Sequence, residues 1–520
     1  MAWMALRLAF ALLVHTSAEA TSAEDVVGIE VGSEVVVGSE RQWGIVVDCG
    51  SSGTRVHIYS WSGSEIQEFT PPTPGDEALL SKTPGISTFA TDPHGVIAYF
   101  SPLLVQAARW VPSAAQPLTR VRPLATAGMR LLSEAEQEPI WTAIDEAIDA
   151  SAFMVGGSMT IAGEYEGLFN WLAIQHILGE SASSDTTFGG LDLGGVSTQI
   201  TFRPTSGVIL QSAYRLVVNG SAARVYSHSY MRSGQTAAML RVAQLLTDRD
   251  GSMDVYKSIS TPCANAGLNV NYTVSCAAHG GPSTCMRQLV GAGDHNACRV
   301  LTDALLNRDN ECLLPPCAAQ GEYQPPPTGV TFYAVSAFFY TANSLDLVGW
   351  DGERGLSAQQ IAEAGAAWCL RNWTSVAGPF TDSVCFSSAY IPSLLDAYSL
   401  PRDDNRSVRY ARKVHGFTAS WALGAQLFYI EEMKCEIAAA GAPAGNGTGC
   451  KPPEPRMREE VEVGAAMVLT LVLGLCIGVL LTRLCAPGKQ QGKMVIFRDE
   501  SATEPDAGGR AAALPAPNIA

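Results

Sequence analysis

The feature that most constrains this chain is one pattern written twice. "GIVVDCGSSGTRVHIYSW", Gly44 to Trp61, is an apolar run, an aspartate, a bend of small residues and a second run with alternating apolar positions. "GGLDLGGVSTQITF", Gly189 to Phe202, repeats the design further along. Each predicts a tight β-hairpin. In a bend of Gly, Ser and Thr, backbone N–H groups can converge on one anion, hydroxyls add donors, and absent side chains allow close approach. Such bends can cradle phosphates. The carboxylates that precede them, Asp48 and Asp192, repel phosphate by themselves but can hold Ca²⁺ or Mg²⁺ through water and so neutralise a polyphosphate.

Charge and length then exclude several classes. A formal net charge of −16 leaves no basic surface for DNA or RNA, so nucleic acid is not an expected partner. At 520 residues the chain exceeds one compact core and predicts two domains plus appendages. Residues 1–20, "MAWMALRLAFALLVHTSAEA", read as a cleaved signal peptide, and 21–40 as an acidic, mobile lead-in. Residues 463–482, "VGAAMVLTLVLGLCIGVLLT", carry no charge, are long enough to cross hydrocarbon, and are followed by Arg483, Lys489 and Lys493. The expectation is a single-pass type I membrane protein with a cytosolic tail at 483–520 and its bulk extracellular or lumenal, at the plasma membrane or in the Golgi. Gly474 and Gly478 give the span a small-xxx-small spacing that would suit a homo-oligomer.

The cysteines agree with that topology. Ten of them, Cys263, Cys276, Cys285, Cys298, Cys312, Cys317, Cys369, Cys385, Cys435 and Cys450, precede the span and can form five disulfides in an oxidising compartment; Cys49 is left over. No CxxC pair with a matching His pair suggests zinc. Sequons at Asn219, Asn271, Asn372, Asn405 and Asn446 lie on the same side of the membrane.

Between 42 and about 200, strand-like and helical patterns alternate, which argues α/β. "RVRPLATAGM" reads as a strand, and "RLLSEAEQEPIWTAIDEAI" as a helix with Leu131, Leu132, Ile140, Ile144 and Ile148 along one face. The cysteine-rich block from Cys263 to Cys385 carries turn signals and reads as insertions in a second domain. A Pro- and Gly-rich stalk, 436–462, leads to the membrane helix.

Two phosphate hairpins, each opening an α/β half, resemble the actin, sugar-kinase and heat-shock-chaperone ATPase superfamily. Further motifs narrow the likeness. "LATAGMRLL" (Leu124 to Leu132), "IAGEYEGLFNWLAIQHILG" (Ile161 to Gly179), "FYAVSAFFYT" (Phe332 to Thr341) and "FTASWALGAQLFYI" (Phe417 to Ile430) follow in the order of the apyrase-conserved regions of the nucleoside triphosphate diphosphohydrolases. The resemblance implies two ribonuclease-H-like lobes with a nucleotide in the cleft: lobe I over 41–162, completed by about 412–435, and lobe II over 163–411 with the disulfide-rich insertions. It implies metal-dependent hydrolysis of nucleoside tri- and/or diphosphates by direct attack of water. Glu166 matches the family's catalytic base, in preference to Glu164. Ser197 and Gln199, alternating on one strand and so facing one side, match its water-positioning pair, and Thr126 joins them. Ser51, Ser52, Gly53, Thr54 and Arg55 would bind phosphates from the first loop, and Gly194, Gly195 and Val196 from the second. Asp48 and Asp192 would hold the cation through waters, and Tyr340 and Trp421 would stack on the base. Family analogy pairs Cys263 with Cys285, Cys276 with Cys298, Cys312 with Cys317 and Cys369 with Cys385, and leaves Cys435 with Cys450 as an extra pair. Departures from the family are Cys49 in place of a usual Ala, Tyr165 between the two acids, Gln175 and His176 in place of Asn and Tyr, and an absent early disulfide.

Two other readings stay open on sequence alone. One is a superfamily kinase acting on a sugar or polyol; the other is a surface glycoprotein that keeps the fold without catalysis.

Overall fold

The computed structural model describes residues 41–441, apart from 64, 70, 72–75, 180–187, 206, 219–220, 253, 255–256, 278–282 and 308–309. The signal sequence, the lead-in, the membrane span, the tail, Asn219, Asn446 and the Cys435–Cys450 pair lie outside the described residues or side chains. Among the described residues, no helix is long and apolar enough to cross a membrane.

The first sheet is built by β1 (Gln42–Cys49), β2 (Thr54–Ser62), β3 (Glu65–Phe69), β4 (Ser81–Lys82), β5 (Arg120–Ala125), β6 (Met154–Val155) and β7 (Met159–Thr160). Its order is β3-β2-β1-β5-β6, with β4 on β2 and β7 on β5. It is mixed, because β1 runs antiparallel to β2 and parallel to β5. Helices α1 (Gly95–Ala108), α2 (Ala127–Arg130) and α3 (Glu134–Asp149) lie within this part. Both faces of β1 are covered: Ile45 and Val47 join one buried cluster, and Val46 joins another. That explains its unbroken apolar run.

The helix expected from Arg130 onward divides at Ser133. There the Ser133 and Glu136 side chains form a capping box, with the Ser133 amide and hydroxyl both donating to Glu136 Oε2, and α3 starts afresh. Ile140, Ile144 and Ile148 are buried as the spacing predicts, while Leu131, ahead of the break, is exposed.

After α4 (Gly163–Ile177), the second sheet uses β8 (Phe188–Leu193), β9 (Ser197–Phe202), β10 (Ala213–Val218) and β11 (Ser221–Met231), followed by α5 (Gln235–Asp250). The cysteine-rich block adds a small sheet of β12 (Ile259–Thr261), β13 (Asn269–Val274) and β14 (Cys285–Gly291), and α6 (His295–Leu305). The chain then returns through β15 (Thr331–Ser336), α7 (Ala337–Ser344), β16 (Glu353–Gly355), α8 (Ala358–Cys369), α9 (Trp373–Val376), α10 (Val384–Ala397) and β17 (Val408–Ala411). The second sheet has the order β10-β11-β9-β8-β15-β17-β16. A ribbon of β18 (Lys413–Val414) and β19 (Phe417–Thr418) leads into α11 (Trp421–Gly441). This helix runs past position 436, where the stalk was expected to begin; the alanines at 438–440 favour helix.

Helices α4 and α11 lie between the two sheets. Their residues share one buried cluster with Val46 and Leu124 of the first sheet and Tyr333 and Val335 of the second. The two helices touch backbone to backbone: a Cβ at Gly424 would fall 1.8 Å from the Phe169 carbonyl oxygen.

Among the described residues four disulfides are formed, and two differ from the expected pairs. Cys263 bonds Cys298 and Cys276 bonds Cys285, while Cys312–Cys317 and Cys369–Cys385 pair as expected. Strand register is the reason. β13 and β14 align Val274 with Cys285, so Cys276, just beyond β13, meets Cys285 with their Cα atoms 5.9 Å apart. Cys298 on α6 lies with its Cα 4.8 Å from that of Cys263. Cys49 is buried and unpaired. Asn271, Asn372 and Asn405 are exposed, as glycosylation requires.

Candidate active site

Both repeats fold as hairpins. In the first, Asp48 faces Arg55 and Cys49 faces Thr54 across the bend. In the second, Asp192 faces Gln199 and Leu193 faces Thr198, and the Gly194 N–H closes the turn on the Ser197 carbonyl. Helix α5 engages the second bend from behind: the Gln235 and Ala237 amides donate to the carbonyls of Gly194 and Gly195. A helix N-terminus has free N–H groups to give, and occupying the loop's carbonyls leaves its amides to face a ligand. The two loops meet tip to tip, since a Cβ on Gly195 would lie 2.6 Å from Ser51 Oγ. A side chain at position 195 would force the Ser51 hydroxyl aside.

Expected loop residues divide by exposure. Ser51, Ser52, Gly194 and Gly195 are at least partly open, whereas Gly53, Thr54 and Val196 are buried and form the bases of the hairpins. Arg55 is about half exposed, with Nη1 3.7 Å from Asp48 Oδ2. Thr126 sits in the turn from β5 to α2, its amide bonded to the Cys49 carbonyl, which places it beside the first loop.

Helix α4 reaches the second sheet through two glycines that flank Glu166. A Cβ at Gly163 would fall 2.1 Å from Ser229 Oγ, and one at Gly167 would fall 2.4 Å from Thr201 Oγ1. This docking buries Glu166, which is 5% exposed. The Glu166 carboxylate pairs with the Arg130 guanidinium and accepts a hydrogen bond from Gln199 Nε2 at 3.0 Å. Gln199 Nε2 also lies 2.8 Å from Ser197 Oγ, so the two expected partners do share a face. Glu164 is only half-buried and has no part in this cluster through its carboxylate; its carbonyl accepts from Ser227.

Arg130 and Ser229 are members of the cluster that the sequence did not single out. Arg130 also donates to the Ile161 carbonyl at 2.9 Å and to Ser197 Oγ at 3.4 Å, tying α2 to the second hairpin. Its place inside "LATAGMRLL" was visible, but not the partner it reaches.

Burial raises the Glu166 carboxyl to about 7; Asp192 and Asp48 push the same way, and Arg130 holds it back. Asp192 is raised to about 6, again by burial first, with Asp48 adding to it and Ser336 and Arg55 opposing. Asp48 is raised too, by burial. Asp192 Oδ1 is buried without a hydrogen-bond partner among the described residues. A half-buried Asp48 that raises the buried Asp192, whose Oδ1 has no partner among the described residues, makes an acidic pair that fits a divalent cation.

The two aromatic candidates part company. Tyr340 is 49% exposed on α7, in the turn above Ser336, which lies in register with Leu193, the end of β8 just before the second loop. Its ring centroid is 6.1 Å from that of Trp350, itself 53% exposed and covered on one face by the Arg412 guanidinium. Trp421 is 5% exposed within the cluster between the sheets, so in this conformation its ring packs and offers no face for stacking.

The profile of the GDA1/CD39 (nucleoside phosphatase) family matches residues 35–442. The chain belongs to the GDA1/CD39 family. Among curated relatives, ectonucleoside triphosphate diphosphohydrolase 8 of Bos taurus is 31% identical over 440 residues, covering 78% of this chain and 86% of the relative. Ectonucleoside triphosphate diphosphohydrolase 1 of Mus musculus is 30% identical over 420 residues, covering 74% and 80%. A nucleoside triphosphate hydrolase structure from Neospora caninum superposes with a TM-score of 0.51 at 15% identity, covering 76% of this chain and 93% of that one, and so shares the fold. This GDA1/CD39 member is an apyrase-family hydrolase, and the kinase and non-catalytic readings give way.

Proposed function

We propose that this protein removes the terminal phosphate of nucleoside tri- and diphosphates by direct attack of water, on the extracellular or lumenal side of a membrane. The observation that carries this reading is the meeting of the two phosphate hairpins beside a buried Glu166–Gln199–Ser197 cluster. Loop amides and the hydroxyls of Ser51 and Ser52 bind the phosphates. Glu166 takes the proton of the attacking water, and its raised pKa suits a base that works near neutrality. Ser197 and Gln199 orient that water, and Gln199 Oε1, buried without a partner among the described residues, is the acceptor turned to it. Arg130 keeps Glu166 in place and supplies fixed positive charge beside the reacting groups. Asp48 and Asp192 would hold Ca²⁺ or Mg²⁺ through water, where the cation offsets the charge of the polyphosphate. Tyr340 stacks on the base, with Trp350 extending the aromatic surface.

The test is phosphate release from a panel of nucleoside tri- and diphosphates by membranes bearing the full chain, with Ca²⁺, Mg²⁺ or EDTA. Metal-dependent release that disappears in Glu166→Ala is expected. Release unchanged by that substitution would refute the assignment.

A further inference from the structure

We infer that Ser229 is a positioning residue for the hydrolytic water, acting through the side-chain amide of Gln199. The inference rests on the proposed role of Gln199 and adds the group that fixes its orientation.

Register creates the contact. β9 and β11 align Ser197 with Met231, Gln199 with Ser229 and Thr201 with Ser227, so these six side chains stand on one face of the sheet, beneath α4. The ladder is bonded across: Thr201 Oγ1 and Ser227 Oγ are 2.7 Å apart, and Gln199 Nε2 donates to Ser229 Oγ at 3.0 Å. The alternate residues of β11, Tyr226 and Tyr230, belong instead to the core on the opposite face.

Gln199 Nε2 has three acceptors within reach, Glu166 Oε2, Ser197 Oγ and Ser229 Oγ. It has two hydrogens to give. Ser197 also receives the Arg130 guanidinium, at 3.4 Å. Glu166 holds the amide from α4, and Ser197 holds it from its own strand while shared with Arg130. Ser229 adds the point of attachment on the neighbouring strand, so that Oε1 stays directed away from Glu166. Ser229 is itself confined, because its hydroxyl occupies the space that a side chain at position 163 would need. Strand β11, the first turn of α4 and the amide of Gln199 are thereby locked together. Loss of this hydroxyl lets the amide rotate and misplaces the water, and misplacement of a reacting group costs rate more than binding.

The experiment is a double-mutant cycle on the full-length chain, with steady-state phosphate release from ATP as the readout. Ser229→Ala is expected to lower kcat about tenfold with KM within about twofold. Gln199→Ala should lower kcat at least as far, and adding Ser229→Ala to it should cause no further loss. A multiplicative loss in the double variant would overturn the proposal, because Ser229 would then act independently of Gln199. Undiminished kcat in Ser229→Ala would overturn it as well. If Gln199→Ala retains parental kcat, the water-positioning role of Gln199 falls and this inference with it; if Gln199→Ala is impaired and Ser229→Ala is not, only the inference falls. Ser229→Cys keeps the volume and replaces the hydroxyl with a weakly bonding thiol, and it gives the same reading where alanine disturbs folding.

Discussion

At Glu166 two influences oppose each other: burial disfavours the carboxylate, and the Arg130 guanidinium favours it. Burial prevails, leaving the group near 7, and the sign of the pH dependence follows. A base acts in its ionised form, so kcat/KM should rise with pH through about 7 and level off above it, as a pH–rate profile of the free enzyme would read. Arg130→Ala removes the opposing charge, so the rising limb should move to higher pH while kcat falls; a limb that stays in place would show that Arg130 does not tune the base. Glu166→Gln, which keeps the shape and removes the basicity, should reduce kcat by roughly 10²–10⁴-fold. Glu166, Ser197 and Gln199 were legible because they lie in quotable motifs and the last two alternate on a strand. Ser229 was not legible, since its meaning depends on which strand lies beside β9. The burial of Trp421 was not legible, because a sequence does not show whether an aromatic ring is solvent-facing or buried.

Among the elements, α4 does most to build the site. Gly163 and Gly167 bring its first turns against Ser229, Ser227 and Thr201, and Glu166 lies on that stretch. Gly167→Ala sets a methyl group into a space where Thr201 Oγ1 is 2.4 Å away and Ser227 Oγ 2.7 Å away, so either this bonded pair of hydroxyls is parted or the helix lifts. A loss of about 1–3 kcal/mol in stability is expected, as for other overpacked sites, together with a fall in kcat. Thermal melting and turnover measured on one preparation would check both. Unchanged values in each would mean that the helix docks less tightly than these distances state. The small sheet teaches a different lesson. Four cysteines between 263 and 298 admit several pairings from sequence, and only the β13–β14 register selects Cys276–Cys285. Proteolysis under non-reducing conditions should release the peptides of Cys276 and Cys285 joined to one another.

Across the whole molecule, the two hairpins come from different sheets, separated by α4 and α11, yet they meet at Ser51 and Gly195. Hairpins, aspartates and their order were legible because each is local. Their meeting was not, since it depends on how two sheets pack around a shared pair of helices. The contact has a testable asymmetry. A methyl group at position 195 would lie 2.6 Å from Ser51 Oγ but 3.9 Å from Ser51 Cβ, so the conflict is with the hydroxyl alone. Gly195→Ala should therefore turn that hydroxyl aside and cost the phosphate one donor, and Ser51→Ala should cost the same donor by deleting it. A lost hydrogen bond to a charged group, at roughly 1.5 kcal/mol, corresponds to a rise in KM of about tenfold for each variant. The double variant then has no hydroxyl to displace, and its KM should match the single variants instead of multiplying their losses. Nucleotide titrations of the three variants would decide it: multiplied losses would mean that Gly195 matters for the approach of the phosphate itself and not for the meeting of the two loops.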